Sequence, residues 1–408
     1  MSRKPLIQHI AYAGSQLRRR WLGAVVLLPL VATLPRWAQP AGACKTLSDW
    51  ASFAARHIQA DGRVVDFDTP QQQSTSEGQA YALFFALVHN DSTTFDRVLS
   101  WTETNLCAGS LAARLPAWQW GNKPDNTWGV LDENSASDAD LWAAYALLEA
   151  GRLWEKPQHH ALGRAVMSMV ARDEVCVLAG LGRMLLPWPQ SAAQGPAWRL
   201  NPSYMPLQLL RRFHIEDPEG PWSEIADNTI RLLSAVTPRG FAPDWCVWST
   251  DDTAFGFDTV KGAVGSYDAI RIYLWAGLLN ARDPARSTLL KYLYGPRRAL
   301  EQGRTLAEYV DTATGLERGD APFGYVAALL PYLKAQNLTA QLNVQLARLR
   351  ARTTPIVASV SGPSSTKRTA PLPYYERMLI LFGQSWLEGR FTFGRTGQLQ
   401  TNWRLSCP

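Results

Sequence analysis

The sequence has few residues of the kinds that bind metals. Its five cysteines form no C-x-x-C pair, and its six histidines form no H-E-x-x-H motif. Zinc sites usually draw their ligands from such short spacings, so the sequence predicts no metal site. With 46% hydrophobic and only 19% charged residues, the chain has ample material for a packed core, which argues against disorder.

The chain also lacks an apolar run long enough to span a bilayer. The best candidate, residues 21–34, is interrupted by Pro29 and falls short of the roughly 20 residues that a spanning helix needs. Basic residues precede it and Ala41-Gly42-Ala43 follows it, which is the pattern of a secretory signal peptide. We expect residues 1–43 to be cleaved off after Ala43. Residues 44–408 are then expected to form a single periplasmic or secreted domain that is not an integral membrane protein.

The expected mature chain has no excess of charge. The net charge of +6 comes from six basic residues within positions 1–43, which contain no acid. No basic patch remains for phosphate contacts, which argues against a nucleic-acid partner and favours a neutral one. Three of the six basic residues, Arg18-Arg19-Arg20, leave twin-arginine export open as an alternative to the general secretory route.

Strand-like alternation is scarce, whereas apolar residues recur at helical spacing from Thr46 onward. At least eleven helical segments are predicted, separated by connections rich in proline, glycine and aromatic residues. Helices alone over about 360 residues exceed the usual size of one core, unless pairs of helices are arranged in a ring. The sequence therefore predicts an all-α fold with long functional loops, one of them the Ser-, Thr- and Pro-rich segment 353–369.

Three acidic residues, Glu77, Asp138 and Asp268, stand where amphipathic helical segments begin. Each alone is explained by helix capping, because carboxylates favour the positive end of the helix dipole. Together they suggest acid/base chemistry on an uncharged polar substrate. Asp268 and Arg271 lie three residues apart, so on a helix they share a face and the guanidinium would keep the carboxylate ionised. Asp268 therefore suits a general base.

Glu77 is the candidate general acid. A general acid must keep its proton, so its pKa has to be raised. The start of a helix would lower the pKa of Glu77, whereas burial among aromatic rings and the nearby Asp138 carboxylate would raise it. Hydrolysis of a glycosidic bond needs one acid of this kind and one ionised carboxylate. It needs no cofactor, and none is expected.

Seventeen tryptophans are many for this length. Flat aromatic rings stack on the apolar faces of sugars, while acids and amides bind the hydroxyl groups. Tryptophans in predicted loops, together with the carboxylates, therefore predict a saccharide cleft. These tryptophans are Trp118, Trp120, Trp128, Trp245 and Trp248.

Two cysteines, Cys44 and Cys407, lie at the ends of the expected mature chain. Chain termini often lie close together and exported proteins meet an oxidising compartment, so we expect a disulfide between them. Acylation of Cys44 stays open as the alternative, because the preceding Ala-Gly-Ala weakly resembles a lipoprotein cleavage site. The remaining cysteines are predicted to be buried as small apolar residues. They are Cys107, Cys176 and Cys246.

Seven motifs occur in the order found in a known family. Over the span from about Cys44 to Cys407 the chain resembles glycoside hydrolase family 8, in particular the periplasmic endoglucanases of bacterial cellulose synthesis operons. The motifs are Ser74-Thr75-Ser76-Glu77-Gly78-Gln79-Ala80-Tyr81, Pro116-Ala117-Trp118-Gln119-Trp120-Gly121, Asn134-Ser135-Ala136-Ser137-Asp138-Ala139-Asp140, Asn201-Pro202-Ser203-Tyr204, Pro243-Asp244-Trp245, Ser266-Tyr267-Asp268-Ala269-Ile270-Arg271 and Leu381-Phe382-Gly383-Gln384-Ser385-Trp386.

The resemblance implies an (α/α)6 barrel of helical hairpins and endo-acting, inverting hydrolysis of β-1,4-glucan during bacterial cellulose synthesis and export. It makes Glu77 the proton donor, Asp268 the general base and Asp138 the group that holds the distorted sugar and the attacking water. The glucan is the expected partner, and the cellulose synthase and export complex is a further candidate. Substrate binding is assigned to Trp118, Trp120, Tyr204 and Arg271.

The chain departs from the family pattern at two places, Ala143, where the family usually has Ile or Met, and the apparent insertion at 353–369. Chitosan, xylan and mixed-linkage glucan stay open as substrates, although Asp268 as the base argues against chitosan. A catalytically silent glucan-binding subunit is a different kind of alternative. It is disfavoured because such a protein would need the tryptophans but not a separated acid and base.

Overall fold

Helices make up most of the regular structure of this chain. The computed structural model describes residues 50–189, 197–353 and 371–405. The expected signal peptide, Cys44, Cys407 and nearly all of the 353–369 segment lie outside the described residues. In chain order the helices of the described residues are α1 (Trp50–His57), α2 (Ser76–Val88), α3 (Ser92–Leu106), α4 (Ser137–Leu153), α5 (Pro157–Asp173), α6 (Leu207–Glu216), α7 (Trp222–Val236), α8 (Ala269–Leu278), α9 (Arg286–Tyr292), α10 (Gly295–Glu301), α11 (Phe323–Ala335), α12 (Thr339–Thr353) and α13 (Tyr374–Leu387).

The helices differ in how much of their circumference is buried. Helices α2, α4, α8 and α11 bury nearly every residue, as helices enclosed on all sides do. Helices α3, α5 and α7 bury one apolar stripe and expose the opposite face. The second group packs outside the first, with α3 against α2 and α5 against α4. The prediction of a helical core is confirmed, and among the described residues no helix is long and apolar enough to cross a bilayer.

Large aromatic side chains join the enclosed helices at the centre of the core. Phe382 on α13 packs edge-on against Phe85 on α2, with 4.7 Å between ring centroids, and against Trp142 on α4 at 5.4 Å. Trp142 in turn lies 5.2 Å from Trp275 on α8. Phe85, Trp142 and Phe382 are fully buried, so truncating any of them to alanine would cost about 3–5 kcal/mol of unfolding free energy.

Short strands lie in the connections where the sequence predicts only loops. They form five small antiparallel sheets in the described residues, and each strand has only two to five residues. Runs this short rarely show the two-residue alternation by which a strand is recognised in a sequence. The strands are β1 (Ser74–Thr75), β2 (Gln119–Asn122), β3 (Trp128–Asp132), β4 (Val175–Leu178), β5 (Gly182–Leu185), β6 (Ala197–Leu200), β7 (Cys246–Ser249), β8 (Ala254–Phe257), β9 (Val264–Gly265), β10 (Tyr309–Asp311), β11 (Leu316–Arg318), β12 (Phe391–Phe393) and β13 (Leu399–Thr401).

Two of these sheets hold the chain just before a predicted acid. In the sheet β1-β2-β3, Thr75 pairs with Gln119, and α2 starts at the next residue. In the sheet β11-β10-β9, Gly265 pairs with Val310 three residues before Asp268. The sheets therefore fix the entry of the chain into α2 and α8.

Candidate active site

Glu77 lies in the first turn of α2. Thr75 caps this helix, because its side-chain oxygen accepts a hydrogen bond of 3.1 Å from the backbone N–H of Gly78. Gly78 has to be a glycine, since a Cβ atom there would lie 2.5 Å from the hydroxyl oxygen of Tyr374. The side chain of Glu77 is 24% exposed.

Asp138 lies in the first turn of α4, but it is not the cap expected from the sequence. The N-cap residue is Ala136, whose side chain makes no capping hydrogen bond. Ser137 and Asp138 already belong to the helix. Asp138 therefore does not cap the helix. Its Oδ1 atom accepts a 2.8 Å hydrogen bond from the backbone N–H of Ala139. Its side chain is only 3% exposed, which makes it the most deeply buried of the three predicted acids.

Asp268 is held by a second acid that the sequence analysis did not single out. The Oδ1 atom of Asp244 accepts backbone hydrogen bonds from Ser266, Asp268 and Ala269, at 2.7, 3.1 and 2.8 Å. Asp244 thereby satisfies the free N–H groups at the start of α8, which Asp268 does not cap with its own side chain. The Asp268 side chain stays available for chemistry and is 27% exposed.

Arg271 links all three predicted acids. Its Nη1 atom lies 2.5 Å from Oε1 of Glu77 and 2.9 Å from Oδ2 of Asp138, and its Nη2 atom lies 2.9 Å from Oδ1 of Asp268. The predicted contact between Arg271 and Asp268 is confirmed, whereas the contacts with the other two acids were not expected. Because the guanidinium is only 3% exposed, the structure places Arg271 beneath the carboxylates. Its predicted role in substrate binding stays a prediction.

The electrostatics of the site centre on Asp138 and Arg271. Burial and the neighbouring charge of Glu77 raise the pKa of Asp138 to about 7, although Arg271 opposes the shift. Burial alone would lower the pKa of Arg271, but Glu77 and the surrounding groups raise it well above its usual value. Glu77 and Asp138 contact the same guanidinium nitrogen, so the charge of Glu77 lies close enough to favour a proton on Asp138.

A second pair of acids lies behind Asp138. Asp140 and Glu174 are completely buried, and Ser135 donates a 2.5 Å hydrogen bond to Oε1 of Glu174. The side chain of Asp140 interacts with those of Glu174 and Ser135. Burial raises the pKa of Glu174 to about 8, and burial with the charge of Glu174 raises that of Asp140 well above its usual value. Burial therefore favours the protonated over the ionised form of this pair near neutral pH.

The predicted sugar-binding aromatics are partly brought to the site. Trp118 accepts a hydrogen bond from the N–H of Ser76 through its backbone oxygen and is 41% exposed, next to Glu77. Trp120 is half-buried and stacks on Trp128, which is 47% exposed. Tyr204 lies 5.5 Å from the guanidinium carbon of Arg271, measured to its ring centroid. These positions leave Trp118 and Trp128 free to meet a ligand.

Trp248 does not belong to this surface. Its side chain is 2% exposed within strand β7, and its indole N–H donates to the carbonyl oxygen of Ala179 at 3.0 Å. The grouping of Trp248 with the cleft tryptophans is therefore wrong, because its ring is buried and packs against Phe255 of β8, with 4.8 Å between ring centroids. Trp245, three residues earlier, donates instead to Oδ2 of Asp268 at 3.0 Å. Of the two tryptophans, only Trp245 belongs to one of the seven motifs, Pro243-Asp244-Trp245.

Cysteines and metal ligands take no part in the site. Cys107 and Cys246 are buried and free, as predicted, while Cys176 is half-buried rather than fully buried. Among residues 50–189, 197–353 and 371–405, no group of three or more His, Cys, Asp or Glu side chains could hold a metal ion. Ala143, where the chain departs from the family pattern, is buried in α4.

Comparison with known proteins gives consistent matches over nearly the whole chain. Residues 28–389 match the family described as Glycosyl hydrolases family 8. An endoglucanase of Xanthomonas axonopodis pv. citri (strain 306) is 50% identical over 388 residues, which cover 95% of this chain and 97% of that protein. An endoglucanase of Escherichia coli (strain K12) is 40% identical over 358 residues, covering 88% and 92%. The crystal structure of an endo-1,4-D-glucanase from Vibrio fischeri ES114 is 39% identical, with a TM-score of 0.76, and covers 87% of this chain and 99% of that chain.

Proposed function

The chain belongs to glycosyl hydrolases family 8, and from this premise we propose that it hydrolyses β-1,4-glucan internally, as an endo-1,4-β-glucanase. One observation carries the proposal: two partly exposed carboxyl groups, on Glu77 and Asp268, are bound by different nitrogens of one buried guanidinium. A pure binding protein would not need an acid and a base held apart in this way. The names of the relatives described above support the same activity.

In the proposed reaction Glu77 is the general acid and Asp268 the general base. Glu77 gives its proton to the glycosidic oxygen as the bond from that oxygen to the anomeric carbon breaks. Asp268 takes a proton from a water molecule, whose oxygen forms the new bond to the anomeric carbon. The leaving sugar departs with a hydroxyl group, and the proton gained by Asp268 returns to Glu77 through solvent.

The arrangement supports inversion of configuration at the anomeric carbon. Glu77 and Asp268 are bound by different nitrogens of the Arg271 guanidinium, Nη1 and Nη2. A gap between acid and base leaves room for the attacking water on the face opposite the leaving group. Asp138 is bound to Nη1 of Arg271, and we assign it to holding Arg271 and, through this guanidinium, the distorted sugar and the attacking water.

The aromatic residues supply the proposed sugar contacts. Trp118 and Trp120 lie beside Glu77, on the chain that pairs with the entry to α2. Tyr204 ends a short 3₁₀ helix, and its hydroxyl faces the charges of the site, with a pKa raised well above its usual value by burial and by Asp138. A hydroxyl group that stays protonated can donate to the water or to a sugar oxygen.

We also propose that the helices close into an (α/α)6 barrel. Support comes from the packing of enclosed helices on one another, with contacts of α2 with α4, α8 with α11 and α11 with α13. The ring contact between Phe85 of α2 and Phe382 of α13 joins the two ends of that series. The acids then lie at the amino ends of α2, α4 and α8, where the helix dipoles favour negative charge.

The proposed setting is the periplasm or the exterior, after cleavage near Ala43. Support is the basic and apolar pattern of residues 1–43 and the likeness of the sequence to endoglucanases of cellulose synthesis operons. The glucan would then meet the enzyme during cellulose synthesis and export, with the synthase and export complex as a candidate partner.

Substrate class is tested by comparing polymers. Purified protein is incubated with carboxymethyl cellulose, xylan, chitosan and mixed-linkage glucan, and both viscosity and reducing ends are followed. We expect carboxymethyl cellulose to lose viscosity early relative to the release of reducing ends, as internal cleavage requires. Faster turnover of another polymer would replace the substrate, release of cellobiose alone would contradict internal cleavage, and no turnover of any polymer would favour the binding-subunit alternative.

A further inference from the structure

The two oxygens of the Asp268 carboxylate are held by different parts of the chain. Oδ1 accepts from Nη2 of Arg271 at 2.9 Å, within the same helix. Oδ2 accepts from the indole N–H of Trp245 at 3.0 Å, from the connection that leads into β7. A single hydrogen bond would let the carboxylate rotate about its Cβ–Cγ bond, whereas two donors from different directions fix its plane.

The ring of Trp245 is itself held in place. The guanidinium carbon of Arg199 lies 4.6 Å from its centroid, Nζ of Lys261 lies 5.6 Å from it, and the Trp188 ring packs at 5.8 Å. Arg199 is in turn fixed by Asp258, whose side chain is completely buried and accepts two hydrogen bonds from it at 2.8 and 2.9 Å. The indole therefore cannot turn its N–H away without breaking this packing.

The cations over the ring also affect the hydrogen bond. A positive charge above an indole is attracted to its π electrons and withdraws electron density from the ring. The N–H group then becomes a better donor, and a donor to a carboxylate stabilises the ionised form over the protonated one. A general base has to be ionised to accept a proton from water, so this contact acts on the reacting state of Asp268.

We propose that Trp245 is a positioning residue for the general base, whose indole N–H holds Oδ2 of Asp268 in the orientation and ionisation state that water activation needs. The pair of Arg199 and Asp258 supports it by fixing the ring. The inference rests on the proposed hydrolytic function and extends it to residues outside the acid and base themselves.

Other charged and titratable groups also face Asp268 and are kept constant in the test. They come from several elements. None of them is substituted in the test, so a change in the pH profile reports the loss of the Trp245 hydrogen bond. These groups are Arg271 on α8, Asp244 before β7, Asp138 on α4, Tyr204 after β6 and Tyr375 on α13.

The test replaces Trp245 by phenylalanine, which keeps an aromatic ring between Arg199 and Trp188 and removes only the N–H donor. The substrate is a neutral cello-oligosaccharide, so the substrate itself does not titrate. We expect the acid limb of the kcat profile to move up by about one pH unit, because the ionised carboxylate loses a hydrogen-bond donor that its protonated form does not need. The resulting loss of kcat at the acid end is roughly tenfold, with KM changed less than about twofold.

The matched control is Trp248→Phe, which removes an indole N–H from the same sheet region without touching Asp268. It is expected to lower thermal stability and to leave the acid limb where it is. Equal shifts in both variants, or an unshifted limb in Trp245→Phe, would overturn the proposal.

A second measurement does not depend on how well Trp245→Phe folds. In protein labelled with ¹⁵N-tryptophan, one indole resonance should follow the acid limb of activity in the wild type and lose this titration in Asp268→Asn. Absence of any such resonance would also overturn the proposal. If the wild-type protein turns over none of the tested polymers, the hydrolytic function itself is wrong. A failure confined to Trp245 leaves the wild type active and the acid limb of Trp245→Phe unshifted.

Discussion

The guanidinium of Arg271 and the carboxylate of Asp138 form an ion pair in which each side chain is only 3% exposed, with 2.9 Å between Nη1 and Oδ2. Removing one partner of a buried pair leaves the other charge without compensation, at a cost of about 3–5 kcal/mol. The pair holds Arg271 where it also reaches Glu77 and Asp268. The most deeply buried acid of the site therefore sets the positions of the two accessible ones.

Glu77→Gln should remove the leaving-group acid while keeping the shape of the side chain. We expect turnover of carboxymethyl cellulose to fall on the order of 10²-fold or more, because general acid catalysis contributes that much. Affinity for cello-oligosaccharide, measured by calorimetry, should survive. Glu301→Gln, an exposed residue paired with Arg297, is the matched control and should keep wild-type turnover. A near-normal rate in Glu77→Gln would show that Glu77 is not the acid.

Asp138→Asn should lower turnover through lost positioning. The amide can still accept a hydrogen bond from Arg271, but it no longer carries the charge that holds the guanidinium, and misplacement of reacting groups costs on the order of 10²-fold. Mass spectrometry of wild-type and variant protein during turnover should show no covalent glycosyl adduct. A trapped adduct on Asp138 or Asp268 would require a nucleophilic mechanism instead.

Glu174→Gln should change how stability depends on pH. Folding raises the pKa of Glu174 from its ordinary 4.5 to about 8, so its contribution is fully present below pH 4.5 and is lost as pH rises through 8. The wild-type melting temperature should therefore fall by about 2–5 °C between pH 6 and 9 from this group, and the variant should show a flatter profile. Glu301→Gln, at an exposed acid paired with Arg297, should keep the wild-type slope. An unchanged slope in Glu174→Gln would contradict a protonated pair with Asp140.

The first product of hydrolysis should be the α-anomer. If Asp268 activates water on the face opposite Glu77, the carboxyl groups lie roughly 6.5–9.5 Å apart rather than the ~5–5.5 Å of retaining enzymes. Activity should then be bell-shaped in pH, falling on the acid side as the base gains a proton and on the alkaline side as the acid loses one. Proton NMR of the first products decides the matter, and initial release of the β-anomer would falsify inversion.

Cys44 and Cys407 should be linked by a disulfide that joins the ends of the mature chain. Peptide mapping without reductant should recover the two residues in one cross-linked fragment, while Cys107, Cys176 and Cys246 should react with a thiol reagent after unfolding. Recovery of Cys44 as a free thiol or as an acylated residue would rule out the link.

Much of the site could be predicted because it depends on local structure. The acids at the starts of α2 and α4 follow from helical periodicity, and the contact of Arg271 with Asp268 follows from a spacing of three residues on one helix. The capping was harder to predict. The residue that precedes α4 is Ala136 rather than a polar residue. At the start of α8, the backbone N–H groups donate to Asp244, which lies 24 residues before Asp268 in the chain.

The sequence by itself determined the helical class of the fold and the three carboxylates, since both depend on patterns within one or two helical turns. Only the tertiary structure decided which groups surround them. Arg271 meets Glu77 across 194 residues and Asp138 across 133, and Trp245 rather than Trp248 turns its indole toward Asp268. Such contacts depend on how helices pack against one another, and packing is set by side-chain volumes over the whole core rather than by spacing along the chain.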